Sequence, residues 1–254
     1  MTDTANGSAN GEAKNRAARL RDLHRPGDPL VLPNVWDAAS ARVVQEAGFP
    51  ALATASAAVA AMLGHPDGEG GPVDEMLAAA ARVVRVAEVP VTVDAEAGYG
   101  LPPAELVERL LAMGAAGCNL EDSRGGALTD PDEQAAYLAA VRDAAGDALV
   151  VNARVDTFIR QAPDPLDGAL DRGRRYLAAG ADCVYPIMAP ADAVRALAEG
   201  LPGPVNVNQF PGTALRELAE AGAARVSYGP FPHHHAMEAL KGFAERLRAG
   251  EDPA

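Results

Sequence analysis

The chain has 254 residues, 48% of them hydrophobic, and carries 22 Lys and Arg against 35 Asp and Glu for a net charge of −13. That apolar content excludes global disorder, and the acidic balance argues against nucleic acid and anionic membrane surfaces, both of which need a basic face. No charge-free apolar run approaches the roughly 18 residues of a membrane span and the N-terminus lacks a signal-peptide core, so a soluble, cytoplasmic protein is expected.

Residues 1–15 (MTDTANGSANGEAKN) are small and polar, and residues 1–22 as a whole read as a disordered leader. Residues 23–254 then form a single domain. From Leu30 onward, short runs rich in Val, Ala or Leu alternate with Ala/Leu/Arg/Glu stretches of helical spacing. The predicted strands are 30–35, 51–56, 89–95, 117–121, 149–155, 183–187, 204–208 and 225–228. The predicted helices are 38–47, 74–87, 103–113, 132–144, 165–178, 191–198, 213–221 and 235–248. Thr129-Asp130-Pro131 followed by Glu133 marks a helix start, and Gly114 after Met113 marks a stop. Eight strand-then-helix units imply parallel strands with right-handed crossovers, which close most naturally into an α/β fold of the (β/α)8 TIM-barrel type. An open doubly wound sheet is the weaker reading, because no G-x-G-x-x-G follows the first strand.

In such a barrel the strand C-termini face the active-site mouth, and side chains two apart share a face. The third strand ends Asp94-Ala95-Glu96 and the fourth ends Glu121-Asp122. Asp94, Glu96 and Glu121 are three hard oxygen donors on adjoining strands, a set suited to Mg2+ or Mn2+. Left unpaired, carboxylates so crowded would repel. Asp122 reads instead as a solvated charge or a helix cap. The fifth strand puts Asn152, Arg154 and Asp156 on one face; Arg154 can clamp a carboxylate bidentately, the blander alternative being a bridge between structural acids. Asn206 and Asn208 repeat the geometry as neutral groups able to orient a polar ligand. In Thr54-Ala55-Ser56-Ala57-Ala58 the small side chains let backbone N–H groups approach an anion, with Ser56 doubling as a helix cap.

Other residues read as structural. Neither Lys14 nor Lys241, the only lysines, sits where a Schiff-base amine would be desolvated. Cys118 and Cys183 lie in apolar runs as buried thiols. His233-His234-His235 is a solvated helix start, since adjacent helical residues point apart, and His65 is a loop histidine. Tyr99, between Gly98 and Gly100, is a candidate pocket wall.

Four segments together resemble the isocitrate lyase/phosphoenolpyruvate mutase superfamily: Gly64-His65-Pro66-Asp67, Val93-Asp94-Ala95-Glu96-Ala97-Gly98-Tyr99-Gly100, Leu120-Glu121-Asp122 and Ala153-Arg154-Val155-Asp156. The second is similar to the family's D-x-[DE]-x-G-[YF]-G signature and the last to its A-R-x-[DE] strand. The resemblance implies a barrel of that type, with Asp94 as the direct Mg2+ ligand and Glu96 and Glu121 acting through metal-bound waters. It implies that Ser56 and the amides of Ala57 and Ala58 hold a substrate carboxylate that Asp94, Arg154 and Asn208 also bind. Arg154, Asp67 and Glu121 are the expected catalytic residues, Arg154 stabilising the developing anion. Partners are a small carboxylic acid and further copies of the chain, as a tetramer or dimer that exchanges its eighth helix.

The chain departs from the family after the fourth strand. The lyases carry K-[KR]-C-G-H there and the mutases a gating loop with Lys and Asn, whereas this chain has Ser123-Arg124-Gly125-Gly126-Ala127-Leu128-Thr129-Asp130. A lid of that length is too short to close over the mouth. Isocitrate and methylisocitrate cleavage are thereby disfavoured. The proton donor stays open among a metal-bound water, Tyr99, Tyr185 and His65. The expected activity is Mg2+-dependent cleavage of a C–C bond in a small α-keto or α-hydroxy acid through an enolate. The alternatives are P–C chemistry on a phosphonopyruvate-like acid and a non-catalytic metabolite-binding barrel.

Overall fold

The alternation closes into a ring of parallel strands in the computed structural model, which describes residues 3–251. The strands are β1 (Leu30–Leu32), β2 (Asn34–Val35), β3 (Leu52–Thr54), β4 (Val91–Asp94), β5 (Gly117–Glu121), β6 (Ser123–Arg124), β7 (Ala127–Leu128), β8 (Val150–Val155), β9 (Cys183–Pro186), β10 (Asn206–Asn208) and β11 (Arg225–Ser227). The helices are α1 (Asp3–Asp22), α2 (Ala38–Glu46), α3 (Ser56–Leu63), α4 (Val73–Val86), α5 (Pro103–Met113), α6 (Pro131–Ala145), α7 (Pro165–Ala178), α8 (Val194–Gly200), α9 (Leu215–Glu220) and α10 (Phe231–Arg248). Six strands pair in the order β2-β3-β4-β5-β8-β9 and three in the order β1-β11-β10. Pro33, which has no N–H to give a ladder, splits the first barrel strand into β1 and β2. A parallel bridge between Val184 and Val205 joins β9 to the β10 side and completes the (β/α)8 barrel.

Alternation along each strand sets two different environments. Val93, Leu120, Val151, Val184, Val207 and Val226 pack outward against Leu106, Leu110, Leu138, Tyr176 and Leu197 of the surrounding helices. The intervening positions are polar: Thr92, Asn119, Asn152, Asn206, Arg225 and Ser227 are all buried. Asn152 Nδ2 donates to Asn119 Oδ1 at 2.8 Å, and Arg225 reaches the same oxygen at 3.3 Å. Burial pulls the fully enclosed Arg225 guanidinium below its usual range.

The leader expected to be disordered over residues 1–22 is instead helical from Asp3 to Asp22, residues 1 and 2 lying outside the described residues, as do 252–254 at the other end. The reason is an apolar stripe too sparse to stand out from its polar neighbours. Ala13, Ala17 and Leu20 recur at helical spacing and are buried. Ala17 and Leu20 cluster with Leu30, Leu32, Ala51, Ala53 and Val150 at the base of the barrel. Arg21 Nε pairs with Asp182 at 2.7 Å, and Arg142 holds the same carboxylate from α6. Because Leu20 is fully buried, Leu20→Ala is expected to cost about 3 kcal/mol, the ordinary price of a core cavity. Urea unfolding measures it, and an unchanged midpoint would show the helix to be dispensable.

Helix α3 is a second element that the sequence pattern hides, because Ser-Ala-Ala-Val-Ala-Ala-Met-Leu carries no amphipathic period. Helix α10 differs from the others. His233 in its first turn is buried, meeting the Trp36 ring edge-on at 5.0 Å, so the three histidines are not wholly solvated as expected. Beyond it Met237, Leu240, Phe243 and Leu247 are exposed on one face. No helix among the described residues is long and apolar enough to cross a membrane.

Candidate active site

The C-terminal ends of the strands surround a cavity of about 250 Å³ whose lining includes Asn34, Ser56, Asp94, Asn119, Arg154 and Tyr185. A neighbouring cavity shares Ser56, Asp67 and Arg154 and adds Glu96, Glu121 and Arg160. The expected site residues Ser56, Ala57, Asp67, Asp94, Glu96, Glu121, Arg154 and Asn208 thus line one or other of two adjoining spaces. Ala58 is buried one residue further along α3 and lines neither.

Asp94 ends β4 and is braced from both sides. Its backbone N–H donates to Thr54 Oγ1 at 2.8 Å, and its Oδ2 accepts from the Ser56 N–H at 3.0 Å. Its Oδ1 is buried without a hydrogen-bond partner. The N-cap residue of α3, Ala55, supplies no side-chain cap, so the first-turn amides of Ala57 and Ala58 have no partner within the helix. A free carboxylate oxygen and an uncapped helix N-terminus therefore sit side by side, one suited to a cation and the other to an anion.

The other two expected metal ligands point elsewhere. Glu121 forms an ion pair with Arg154, and Glu96 accepts the backbone N–H of Glu69. Among the described residues no three His, Cys, Asp or Glu side chains converge to hold an ion directly. Of the three expected metal residues, Asp94 alone offers an unengaged buried oxygen. That donor set still fits Mg2+, which keeps several waters and takes few protein ligands. Glu96 and Glu121, close enough to Asp94 for their charges to interact, would meet those waters.

The carboxyls feel this crowding. Burial, with the charges of Asp94 and Asp67, pushes Glu96 from the usual 4.5 up to about 7. Burial also raises Glu121 to about 8, with Asp156, Asp94 and Glu96 adding to it and Arg154 offsetting only part. Both groups hold protons in the fold that the unfolded chain releases near 4.5, so the stability they lend is complete below that pH and lost as pH rises through about 7 to 8. Calorimetry on metal-free protein is expected to show Tm falling across that window. Millimolar Mg2+ should flatten the fall, because a cation favours the ionised carboxylates. A Tm that rises with pH there would contradict the assignment.

Arg154 is fixed rather than free. Its Nε and Nη2 donate to Asp156 at 2.7 and 3.1 Å, and its Nη1 pairs with Glu121. Burial opposes its charge, but Glu121, Asp156 and Asp94 more than reverse that and hold it above its usual range. Arg154 therefore bridges two acids, as the blander alternative has it, and its side chain also lines both cavities. Asp156 is fully buried and also accepts from Ser123 Oγ. Asp122, expected to be a solvated charge or cap, is instead fully buried and bound by Tyr176 at 2.8 Å and Arg172 at 3.0 Å. It also accepts the Asp156 N–H at 2.8 Å, fixing the strand that carries Arg154.

Of the candidate proton donors on the chain, only Tyr185 lines the cavity. Burial raises its hydroxyl to about 12, so it stays protonated at neutral pH. His65 pairs with Glu75 at 3.0 Å. Tyr99 packs against the core with φ +55°, its N–H bound to the Glu69 carboxylate, and is not the pocket wall expected. Residues 123–130 form the tight β6–β7 hairpin, turning through Gly125 and Gly126 at φ +57° and +85°. Arg124 pins it to the rim through the Ala97 carbonyl at 3.1 Å and the face of Tyr137. None of its residues lines either cavity.

Asn34, Asn119 and Ser227 line the main cavity and were not anticipated. Asn119 could have been found, since it lies two residues before Glu121 on the same strand face.

The profile of the phosphoenolpyruvate phosphomutase family matches residues 20–248. An uncharacterised Mycobacterium tuberculosis protein is 37% identical over 91% of this chain and 90% of its own length. A Bacillus subtilis 2-methylisocitrate lyase is 32% identical over 76% of this chain and 66% of its own. Among solved structures, a Burkholderia cenocepacia J2315 protein provisionally named a phosphonomutase superposes with TM-score 0.86 at 46% identity, covering 91% of this chain and 99% of that one.

Proposed function

Since this chain belongs to the phosphoenolpyruvate phosphomutase family, whose relatives include lyases and mutases, we propose that it is a Mg2+-dependent lyase or hydrolase of a small α-keto or α-hydroxy acid, cleaving a C–C bond. One observation carries the reading: the unpartnered Asp94 oxygen, the free amides of α3 and the Arg154 guanidinium belong to one mouth. Asp94 would hold Mg2+, or Mn2+ as the alternative, and the ion would supply Lewis acidity toward a carboxylate and its adjacent oxygen.

The residues of the chain divide the remaining work. Ser56 and the amides of Ala57 and Ala58 receive the substrate carboxylate at the positive end of the helix. When the C–C bond breaks, its electron pair moves onto the carbonyl oxygen as an enolate, and Arg154 lies where that charge develops. Tyr185 is the protonated hydroxyl that lines the cavity and would return a proton to the enolate carbon, completing the fragment that took the electron pair. Asp67 is the carboxylate available to take the proton of the α-hydroxyl, whose oxygen becomes the carbonyl of the other fragment, or of the water that adds to a keto group; Glu121 can share that work only when a bound cation has ionised it.

The exposed apolar face of α10 supports a homo-oligomer, dimer or tetramer, in which that helix is exchanged. Free, buried Cys118 and Cys183 fit a reducing compartment, and the cytoplasm is the proposed location.

The test is an assay of the whole protein with Mg2+ on oxaloacetate and on phosphonopyruvate, with and without EDTA. C–C cleavage that EDTA abolishes supports the proposal. Phosphate released from phosphonopyruvate alone favours P–C chemistry instead. Tight Mg2+-dependent oxalate binding with no turnover of any small keto or hydroxy acid marks a binding barrel.

A further inference from the structure

The main cavity has two unlike walls. One carries Asp94, Ser56 and Arg154; the other is built from Ile159, Ile187, Met188 and Phe231, which come from the loops after β8 and β9 and from the first turn of α10. Ile159, Met188 and Phe231 line the cavity and are 40%, 43% and 41% exposed, so they are not committed to the core. Met188 is held there against its backbone preference. Its φ is +64°, a region that a residue with a side chain rarely adopts. Asn208 enforces it: Oδ1 accepts the Met188 N–H at 2.9 Å while Nδ2 donates to the Tyr185 hydroxyl at 2.7 Å. The amide expected to bind substrate is thus spent on presenting a methionine to it. Strain retained beside a cavity by a dedicated brace points to a function for the strained residue.

Resting on the reading of the site given above, we propose that the acid this protein accepts bears an uncharged alkyl substituent, received by Ile159, Ile187, Met188 and Phe231. A second carboxylate against Ile187, Met188 and Phe231 would find no free cation. Arg154 is already clasped by Asp156 and Glu121, and Arg160 lines only the neighbouring cavity. Such a charge would be desolvated without a partner. Each buried methylene, by contrast, improves affinity about fourfold.

Calorimetry on the full chain in Mg2+ tests this, with oxalate as reference ligand and pyruvate, 2-oxobutanoate, 2-oxopentanoate and 2-oxoglutarate as the series. Affinity should rise about fourfold at each of the two added methylenes. The charged 2-oxoglutarate should bind at least about tenfold more weakly than 2-oxopentanoate. In Ile187→Ala and Met188→Ala the gain per methylene should fall below about twofold. If oxalate binds but the alkyl series is flat, or the charged tail binds more tightly, the alkyl assignment is overturned and the function proposed above stands. If oxalate itself fails to bind in Mg2+, both fall together.

Discussion

Asp94→Ala is expected to lower kcat/KM by at least about a thousandfold, the largest effect of any single substitution in the mouth. Loss of one electrostatic partner of a developing charge commonly costs about 3 kcal/mol of barrier, or two orders of magnitude in rate. Asp94 stands above that figure because it has two duties. Its Oδ1 is the unpartnered oxygen offered to a cation, and its Oδ2 holds the Ser56 N–H at the head of α3. On the proposed reading, removing it costs the ion its ligand and loosens the anion-binding turn together. Asp94→Asn separates charge from shape: an oxygen remains for the Ser56 amide, but the negative charge is gone. It should be nearly as inactive as Asp94→Ala. Its metal-free Tm should nonetheless equal or exceed that of the native protein, because one charge is removed from beside Glu96 and Glu121, whose carboxyls Asp94 pushes up. Steady-state kinetics and calorimetry on the two variants decide the matter. Near-native turnover by either, with Mg2+ still bound, would remove Asp94 from the metal site.

Much of this architecture is legible before any coordinates. The strand predicted over 117–121 and the helices over 103–113 and 165–178 match β5, α5 and α7 to the residue, because Gly, Pro and apolar period agree at those places. Site residues at strand ends are legible for the same reason, since a barrel carries every strand C-terminus to one mouth. What stayed hidden depends on partners distant in sequence. Asp122 reads as a surface charge until Arg172 and Tyr176, some fifty residues on, are seen to enclose it. Arg225 reads as an ordinary strand residue, and only ring closure places it inside the barrel beside Asn119. Likewise Tyr99 and Tyr185 look equivalent as proton donors in the sequence. Tyr99, in a left-handed turn, packs against the core and lines no part of the main cavity, whereas strand alternation carries Tyr185 to it. Helix α1 was lost because Ala13, Ala17 and Leu20 are too few to declare a face among so many polar neighbours.

Arg154→Ala is expected to fail in two measurable ways, and the split between them identifies the role of the residue. On the proposed mechanism it removes the guanidinium that stabilises the developing negative charge, worth about two to three orders of magnitude in kcat. Structurally it strands Asp156, a fully buried carboxylate left with Ser123 and the more distant Arg160 at 3.8 Å. Breaking a buried pair by removing one partner costs about 3 to 5 kcal/mol, which urea unfolding detects. Arg154→Lys keeps the charge but cannot reproduce the two-pronged contact to Asp156 while also reaching Glu121. The lysine variant should therefore recover part of the lost stability and little of the lost rate. If it instead restored turnover as fully as it restored stability, Arg154 would be only a brace between Glu121 and Asp156, and the stabilisation of the enolate would have to be reassigned to another hydrogen-bonding group of the cavity, such as Asn119 or Tyr185.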